Sequence, residues 1–392
     1  MNYKKKIILF IKTYLIIICL IFSNNIITNF YLLTIHIYYK KEIIIKENYF
    51  KYCYDIKQIH KLKKKNNPKV SIISPIYNRE KFISRFIGSI QKQSFKDIEI
   101  ILVDDNSIDN SVKLLEKYKK EDKRIILIKN KKNRGTFVAR NLGALISKSK
   151  YLILPDPDDM ISKNIIGICY KYGEKYNYDL IRFNLYLGKG KISKQNFIIS
   201  QKSRPIYQPE LSSYMFYGNI GLEIIDNCIS NKFIKRKVYI KSLNSLKNSF
   251  LNMHMIFMED TLMNYLLLRT AKSFYFLKII GYNYIRTVES ITKKIVRNSQ
   301  KRLKSYFIFL KFIFELSKNT KYEKDIINFH LTDIFRNFDI SKELSKINCY
   351  EIYYFYYEII NTIINCLYIS DENLYLLLKL KKIFENKNKT YF

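Results

Sequence analysis

An α/β fold with a mostly parallel sheet is what this sequence predicts, preceded by an N-terminal membrane helix and followed by a helical C-terminal region. Three observations predict it. From residue 69 onward, short β-branched runs alternate with segments whose apolar residues recur at helical spacing. One run, from Ile98 to Val103, carries little but large apolar side chains, as befits a parallel strand covered on both faces. Acidic clusters follow two of the runs directly, Asp104-Asp105 and Asp156-Pro157-Asp158-Asp159. That is where open α/β sheets bind their ligands.

Taken in order, the chain opens on Lys4, Lys5 and Lys6, and Lys12 is the one charge between Ile7 and Tyr39. The uncharged stretch that follows exceeds the ~20 residues a membrane helix needs. An uncleaved signal anchor over residues 1–45 is the preferred expectation, with a cleaved signal peptide or a peripheral helix as alternatives. Lysines flank both sides, so charge sets the orientation only weakly. A basic linker occupies 46–68, ending in Lys61 to Pro68.

The core of the prediction spans 69–292. Val70 to Ile73 reads as a strand ending at Ser74-Pro75, and Phe82, Ile83, Phe86, Ile87 and Ile90 as a helix. Strand Ile98–Val103 is followed by a helix through Val112, Leu115 and Tyr118, then by a strand at Ile125–Ile128. After the turn Asn133-Arg134-Gly135 comes a helix through Val138, Leu142 and Ile146, and a last strand from Tyr151 to Leu154. Residues 293–392 read as helices. Their aromatic stripes suit a bundle core or a membrane-lying face, and the uncharged run from Ile359 to Ser370 is shorter than the ~20 residues of a span.

Composition excludes several functions. Only 10 of 392 residues are glycine, and no G-x-x-x-x-G-K-[ST] or complete G-x-G-x-x-G occurs, so glycine-rich phosphate loops are absent. The formal net charge is +35, from 69 Lys+Arg against 34 Asp+Glu. All but 13 of the basic residues are lysines scattered along the chain, whereas base readers and phosphate clamps favour arginine. A specific nucleic-acid partner is therefore not expected. The six cysteines and four histidines stand far apart, with no metal-ligand or disulfide spacing.

Without a glycine loop, carboxylates converging at strand ends can hold a hard divalent cation, which in turn neutralises a diphosphate. The plainer alternative is helix capping. It serves equally well for Asp109 and Ser162, but the Asp156–Asp159 cluster holds more carboxylate oxygens than one cap requires.

These residues resemble a known family, the nucleotide-sugar glycosyltransferases of family 2 with the Rossmann-like GT-A fold. The likeness rests on Val70 to Asn78, Ser89 to Phe95, Glu99 to Ser107, Asn133-Arg134-Gly135, Ala139 to Gly143 and Asp156 to Asp159, in family order and spacing. The resemblance implies that Pro75, Tyr77 and Asp105 meet the nucleobase, in a nucleotide-binding set that includes Asn78 and Asp104. It places Arg140 near the base and phosphates, Asp156 near the ribose, and Asp158 on a Mn²⁺ or Mg²⁺ that bridges the donor diphosphate.

Beyond residue 189 the likeness weakens. Asn231-Lys232-Phe233-Ile234-Lys235-Arg236 resembles the segment before the family's acceptor site, so Asn231 and Lys232 are candidate substrate contacts; a basic helix start on the surface explains them as well. Glu259-Asp260 opens a helix and could simply complement its dipole. The resemblance instead makes Asp260 the general base for an acceptor hydroxyl, supported by Glu259, with inversion at the sugar carbon. Tyr282 to Arg286 resembles the segment closing the domain. Asp159 and Arg286 are further candidate phosphate or acceptor contacts, and Thr287 and Val288 stand where several relatives have a histidine.

The expected activity is transfer from a nucleotide sugar, a UDP-sugar first, to a hydroxyl on a glycan or glycoconjugate at a membrane. A polyprenyl-phosphate sugar synthase and a non-catalytic glycan- or membrane-binding relative are the alternatives.

Overall fold

The computed structural model describes residues 68–188, 204–213, 228–246, 254–255, 258–285 and 299–317, with positions 375, 377, 378, 381 and 382. The expected anchor at 1–45, all of the linker but Pro68, Arg286 and most of 293–392 lie outside these residues. Among the described residues no helix is long and apolar enough to cross a membrane.

The first half of the sheet follows the alternation in the sequence. Strand β1 (Val70–Ile76) is followed by helix α1 (Glu80–Gln91), β2 (Ile98–Asp104), α2 (Ser111–Glu121), β3 (Ile125–Lys129), α3 (Thr136–Ile146) and β4 (Tyr151–Ile153). Every residue of β1 and β2 is buried, because helices cover the sheet as βαβ crossovers require. Burying each Ile or Val of these strands is worth roughly 1.5–3 kcal/mol, and the hydrophobic core joins Val70, Ile72, Ile100 and Leu102 to Ile83, Phe86, Ile87 and Ile90 of α1. Pairing is parallel throughout, β3-β2-β1-β4 in space.

The sheet does not stop at β4. It continues through β5 (Met160–Ile161), α4 (Ile165–Tyr176), β6 (Leu180–Gly188), β7 (Pro205–Tyr207), the single turn α5 (Glu210–Ser213), β8 (Lys232–Lys235), α6 (Arg236–Asn244), α7 (Glu259–Thr270) and β9 (Ser273–Ile285). Strand β8 lies antiparallel between β4 and β6, β9 runs parallel to β6, and β5 and β7 both run antiparallel to β9. Among the described residues the sheet thus has nine strands and a mixed second half. The expectation of a mostly parallel sheet holds for β1 to β4 and is corrected beyond them.

Strand β8 also corrects the reading of Asn231 to Arg236 as a basic surface segment. All four strand residues are buried. Phe233 stacks on Tyr151 of β4 with ring centroids 4.8 Å apart. A buried ammonium is tolerated only when its donors are satisfied. Lys235 Nζ donates to Asp179 Oδ1 at 2.9 Å and Asn177 Oδ1 at 2.7 Å, and Lys232 Nζ donates to the Cys228 carbonyl.

Asp109 is a cap, one of the two explanations the sequence left open. Its carboxylate accepts the N–H of Ser111 at 3.0 Å and of Glu80 at 3.1 Å, joining the starts of α2 and α1. In the C-terminal region, helix α8 (Ser299–Ser317) buries Phe309, Phe312 and Ile313, and its Leu316 carbonyl accepts from Arg269 of α7. Phe309 and Phe312 of the aromatic stripe therefore pack inward.

Gly135, just before α3, has φ +85°, and a Cβ there would lie 2.5 Å from the Met255 carbonyl oxygen. Gly88, inside α1, has open space around it. Gly135→Ala is expected to lower unfolding free energy by about 1–3 kcal/mol, whereas Gly88→Ala raises it by up to about 1 kcal/mol. Urea denaturation of both variants measures the difference.

Candidate active site

The carboxyl ends of β2 and β4, separated in the sheet by β1, carry the two acidic clusters. Asp104 closes β2, and burial pushes its carboxyl above the ordinary range against its bonds to Ser107. Asp105 is buried too, and its two oxygens accept from Asn130 Nδ2 at 2.7 Å, Arg134 N–H at 2.9 Å and Gly135 N–H at 2.7 Å. One carboxylate therefore shapes the loop that leads into α3. Burial raises its pKa, while these bonds oppose the rise. Asn78, at φ 51°, joins the β1 and β2 loops: its N–H donates to Ser107 Oγ at 3.0 Å, and its Oδ1 accepts the Ile108 N–H at 2.9 Å. Pro75 is buried in β1, and Tyr77 is open to solvent.

Helix α3 lies so close to the sheet that a Cβ on Gly143 would fall 2.4 Å from Ile73 Cγ2. That close seat fixes Arg140, which is 5% exposed. One guanidinium nitrogen bonds Asp260 Oδ1, another bonds Asp156 Oδ1, and Glu259 Oε1 stands 3.8 Å away. Burial works against the Arg140 charge, but Asp260, Asp156 and Glu259 outweigh it and hold its pKa well above the usual guanidinium value. Burial likewise raises Asp260, with Arg140 opposing, and burial and Asp260 together push Glu259 up to about 8.

Helix α7 presents this pair at its first turn, entered through Met258 in the left-handed region at φ 65°. A non-glycine residue there stores strain of the order of 1–3 kcal/mol.

Asp158 feels the charges of Asp156 and of two arginines, Arg79 at the N-cap of α1 and Arg85 within the helix. Burial and Asp156 raise its pKa, the arginines lower it, and Arg85 also donates to the Asp158 carbonyl at 2.7 Å. Asp159, expected as a phosphate or acceptor contact, instead turns into the protein. It is 1% exposed, and its carboxylate accepts the Tyr282 hydroxyl at 2.7 Å and the Ile285 N–H at 2.8 Å. Burial, Asp156 and Asp158 push it up to about 8.

Asn231 and Lys232, expected as acceptor contacts, are fully buried. They reach the site indirectly, bracing the segment from Cys228. Within it, Ile229 N–H donates to Asp260 Oδ2 at 3.3 Å, and Ser230 Oγ donates to Asp156 Oδ2 at 3.0 Å. Ser230 had no sequence signal, being a serine in an irregular stretch. His254, one of the four dispersed histidines, also reaches the site's edge, with its Nε2 3.0 Å from Asn133 Oδ1. Arg286 lies outside the described residues.

An α/β sheet with acidic turns at its carboxyl ends, mixed in its second half, is the GT-A architecture. The family model described as glycosyl transferase family 2 matches residues 71–243. The glycosyltransferase GlyG of Streptococcus pneumoniae is 31% identical over 142 residues, 34% of this chain and 46% of that protein. The uncharacterized glycosyltransferase EpsJ of Bacillus subtilis is 29% identical over 228 residues, 58% of this chain and 63% of that protein. The chain thus spans about half the length of these curated relatives. The crystal structure of S. aureus TarS 1–349 in complex with UDP-GlcNAc superposes with a TM-score of 0.55 over 76% of this chain and 80% of that one. Its 17% sequence identity makes the likeness one of fold.

Glu259 is costly to ionise in the folded protein. Its pKa is higher in the folded protein than the ordinary 4.5, so the folded chain binds more protons than the unfolded one between pH 4.5 and about 8. Its contribution to stability is fully present below that window and is lost as pH rises through it. Glu259→Gln is expected to flatten the fall in melting temperature between pH 5 and about 8, which calorimetry across that range reads directly.

Proposed function

We propose that this chain is an inverting glycosyltransferase that moves a sugar from a UDP-sugar to a hydroxyl of a glycan or glycoconjugate. The observation that carries the reading is the pairing of Arg140 with Asp156 and Asp260. It brings the acidic turn after β4 and the start of α7 into one crevice, although Arg140 and Asp260 are 120 residues apart in the chain. The family match and the UDP-GlcNAc named for TarS support the donor class.

Among the described residues no group of three or more His, Cys, Asp or Glu could by itself hold a metal ion. A cation held largely by substrate phosphates needs only one or two protein carboxylates. Asp158 fits that need, since burial and Asp156 disfavour its charge and a cation would relieve it. It would hold Mn²⁺ or Mg²⁺, which when bound supplies Lewis-acid stabilisation to the departing diphosphate.

The chain's own residues do the rest. Asp260 removes the proton from the acceptor hydroxyl as that oxygen attacks the anomeric carbon from the face opposite the nucleotide. The new carbon–oxygen bond forms, the bond to the diphosphate breaks, and the nucleotide leaves with its electron pair. A base raised by burial takes a proton more readily at neutral pH than an exposed aspartate does. Arg140 keeps Asp260 ionised and aimed, and Glu259 supports the pair with a further carboxylate 3.8 Å from Arg140.

Nucleotide release from UDP-GlcNAc and a panel of other UDP- and GDP-sugars, with and without Mn²⁺, tests the reading on the full chain. Asp260→Asn is expected to lower kcat by about 10²–10⁴-fold with UDP binding retained, and Asp158→Asn to weaken metal-dependent UDP binding. Turnover of no donor, together with unchanged nucleotide affinity in Asp158→Asn, would refute it. The same assay across pH is expected to show kcat falling on the acid side, with its inflection above the ordinary 3.8 of aspartate because burial raises Asp260. A flat profile down to that value would remove Asp260 as the base.

A further inference from the structure

The backbone of the acidic turn is fastened from behind by bonds that play no part in the chemistry above. Tyr282 of β9 is fully buried. Its hydroxyl accepts the N–H of Asp156 at 3.0 Å and donates to Asp159 Oδ2 at 2.7 Å. Asp159 Oδ1 in turn accepts the N–H of Ile285, the last residue of β9, at 2.8 Å. Just after the turn, β5 pairs Ile161 with Tyr282 and Met160 with Asn283, and the Ser162 N–H donates to the Gly281 carbonyl at 2.9 Å. One phenol hydroxyl therefore grips the turn at Asp156 and at Asp159, on either side of Asp158. The Asp156 side chain meets Arg140, and Arg85 donates to the Asp158 carbonyl at 2.7 Å.

A buried tyrosine needs a partner for its hydroxyl, and that need alone would be met by Asp159. The second bond, from the Asp156 backbone, is what transmits the position of β9 to the turn. We propose that Tyr282 and Asp159 are positioning residues that hold Asp158 where the donor diphosphate binds. The inference rests on the donor reading given above.

Tyr282→Phe in the full chain removes the hydroxyl and keeps the ring that packs in the core. Losing one such bond is worth about a fivefold change in an equilibrium. Hydrogen exchange of the Asp156, Asp158, Asp159 and Met160 amides, measured without donor, is therefore expected to speed up about fivefold. The KM for UDP-GlcNAc with Mn²⁺ is expected to rise by a similar factor, with kcat changed less. A tyrosine that served stability alone would lower the melting temperature and leave KM where it is.

Asp159→Asn, which keeps one acceptor oxygen, is expected to raise KM less than Asp159→Ala does, and this pair decides the matter if Tyr282→Phe does not fold. Unchanged exchange and unchanged KM in a folded Tyr282→Phe would overturn the proposal. A wild-type chain that binds no UDP-sugar would refute the donor reading, and the donor-positioning role with it. Wild-type binding with unaltered KM in the variants would overturn the positioning role alone.

Discussion

Three carboxylates stand around one buried guanidinium, and this arrangement constrains the rest of the structure. Asp156, Glu259 and Asp260 could not share a crevice as anions without a cation among them, and Arg140 supplies it from a helix seated against β1. Removing a partner from a buried pair commonly costs about 3–5 kcal/mol, because the charge left behind is uncompensated. The cost is larger than most single contacts contribute, so the positions of the turn after β4 and the start of α7 are linked through Arg140.

Other elements serve that cluster. Asp105 shapes the loop into α3 with three donors, and Gly135 lets the chain pass beneath Met255. Strand β8, unusual in carrying lysines into the middle of a sheet, delivers the segment from Cys228 to Asn231 against Asp156 and Asp260. The left-handed Met258 aims the first turn of α7 into the same crevice. The candidate site residues sit at loop and helix ends, while the strands behind them are buried and regular, the usual division between scaffold and chemistry.

The sequence made the first half of this architecture legible and much of the second half illegible, for physical reasons. Parallel strands buried on both faces are written as unbroken apolar runs, so β1 to β4 and their helices could be read from periodicity. Asp156, Asp158, Glu259 and Asp260 stood out as acids in a lysine-rich chain. Strand β8 did not, because two lysines in four residues describe a surface until one sees that a carbonyl and an aspartate bury them. Strand β6 could have been found from its apolar residues between Leu180 and Leu187, despite the arginine and asparagine within. Asp159 looked like its neighbours in sequence, and only the approach of β9 turns it inward. Ser230 and His254 are joined to the site by folding alone, which no local pattern encodes.

The central claim is that the acidic turn and the Glu259–Asp260 helix start enclose one donor site. Diffraction from crystals grown with Mn²⁺ and UDP tests it most directly, through the anomalous signal of the metal. The account predicts one manganese peak at the Asp158 carboxylate, with the diphosphate in the crevice that Arg140 and Asp260 line. A nucleotide seated elsewhere, or manganese bound away from Asp158, would contradict it.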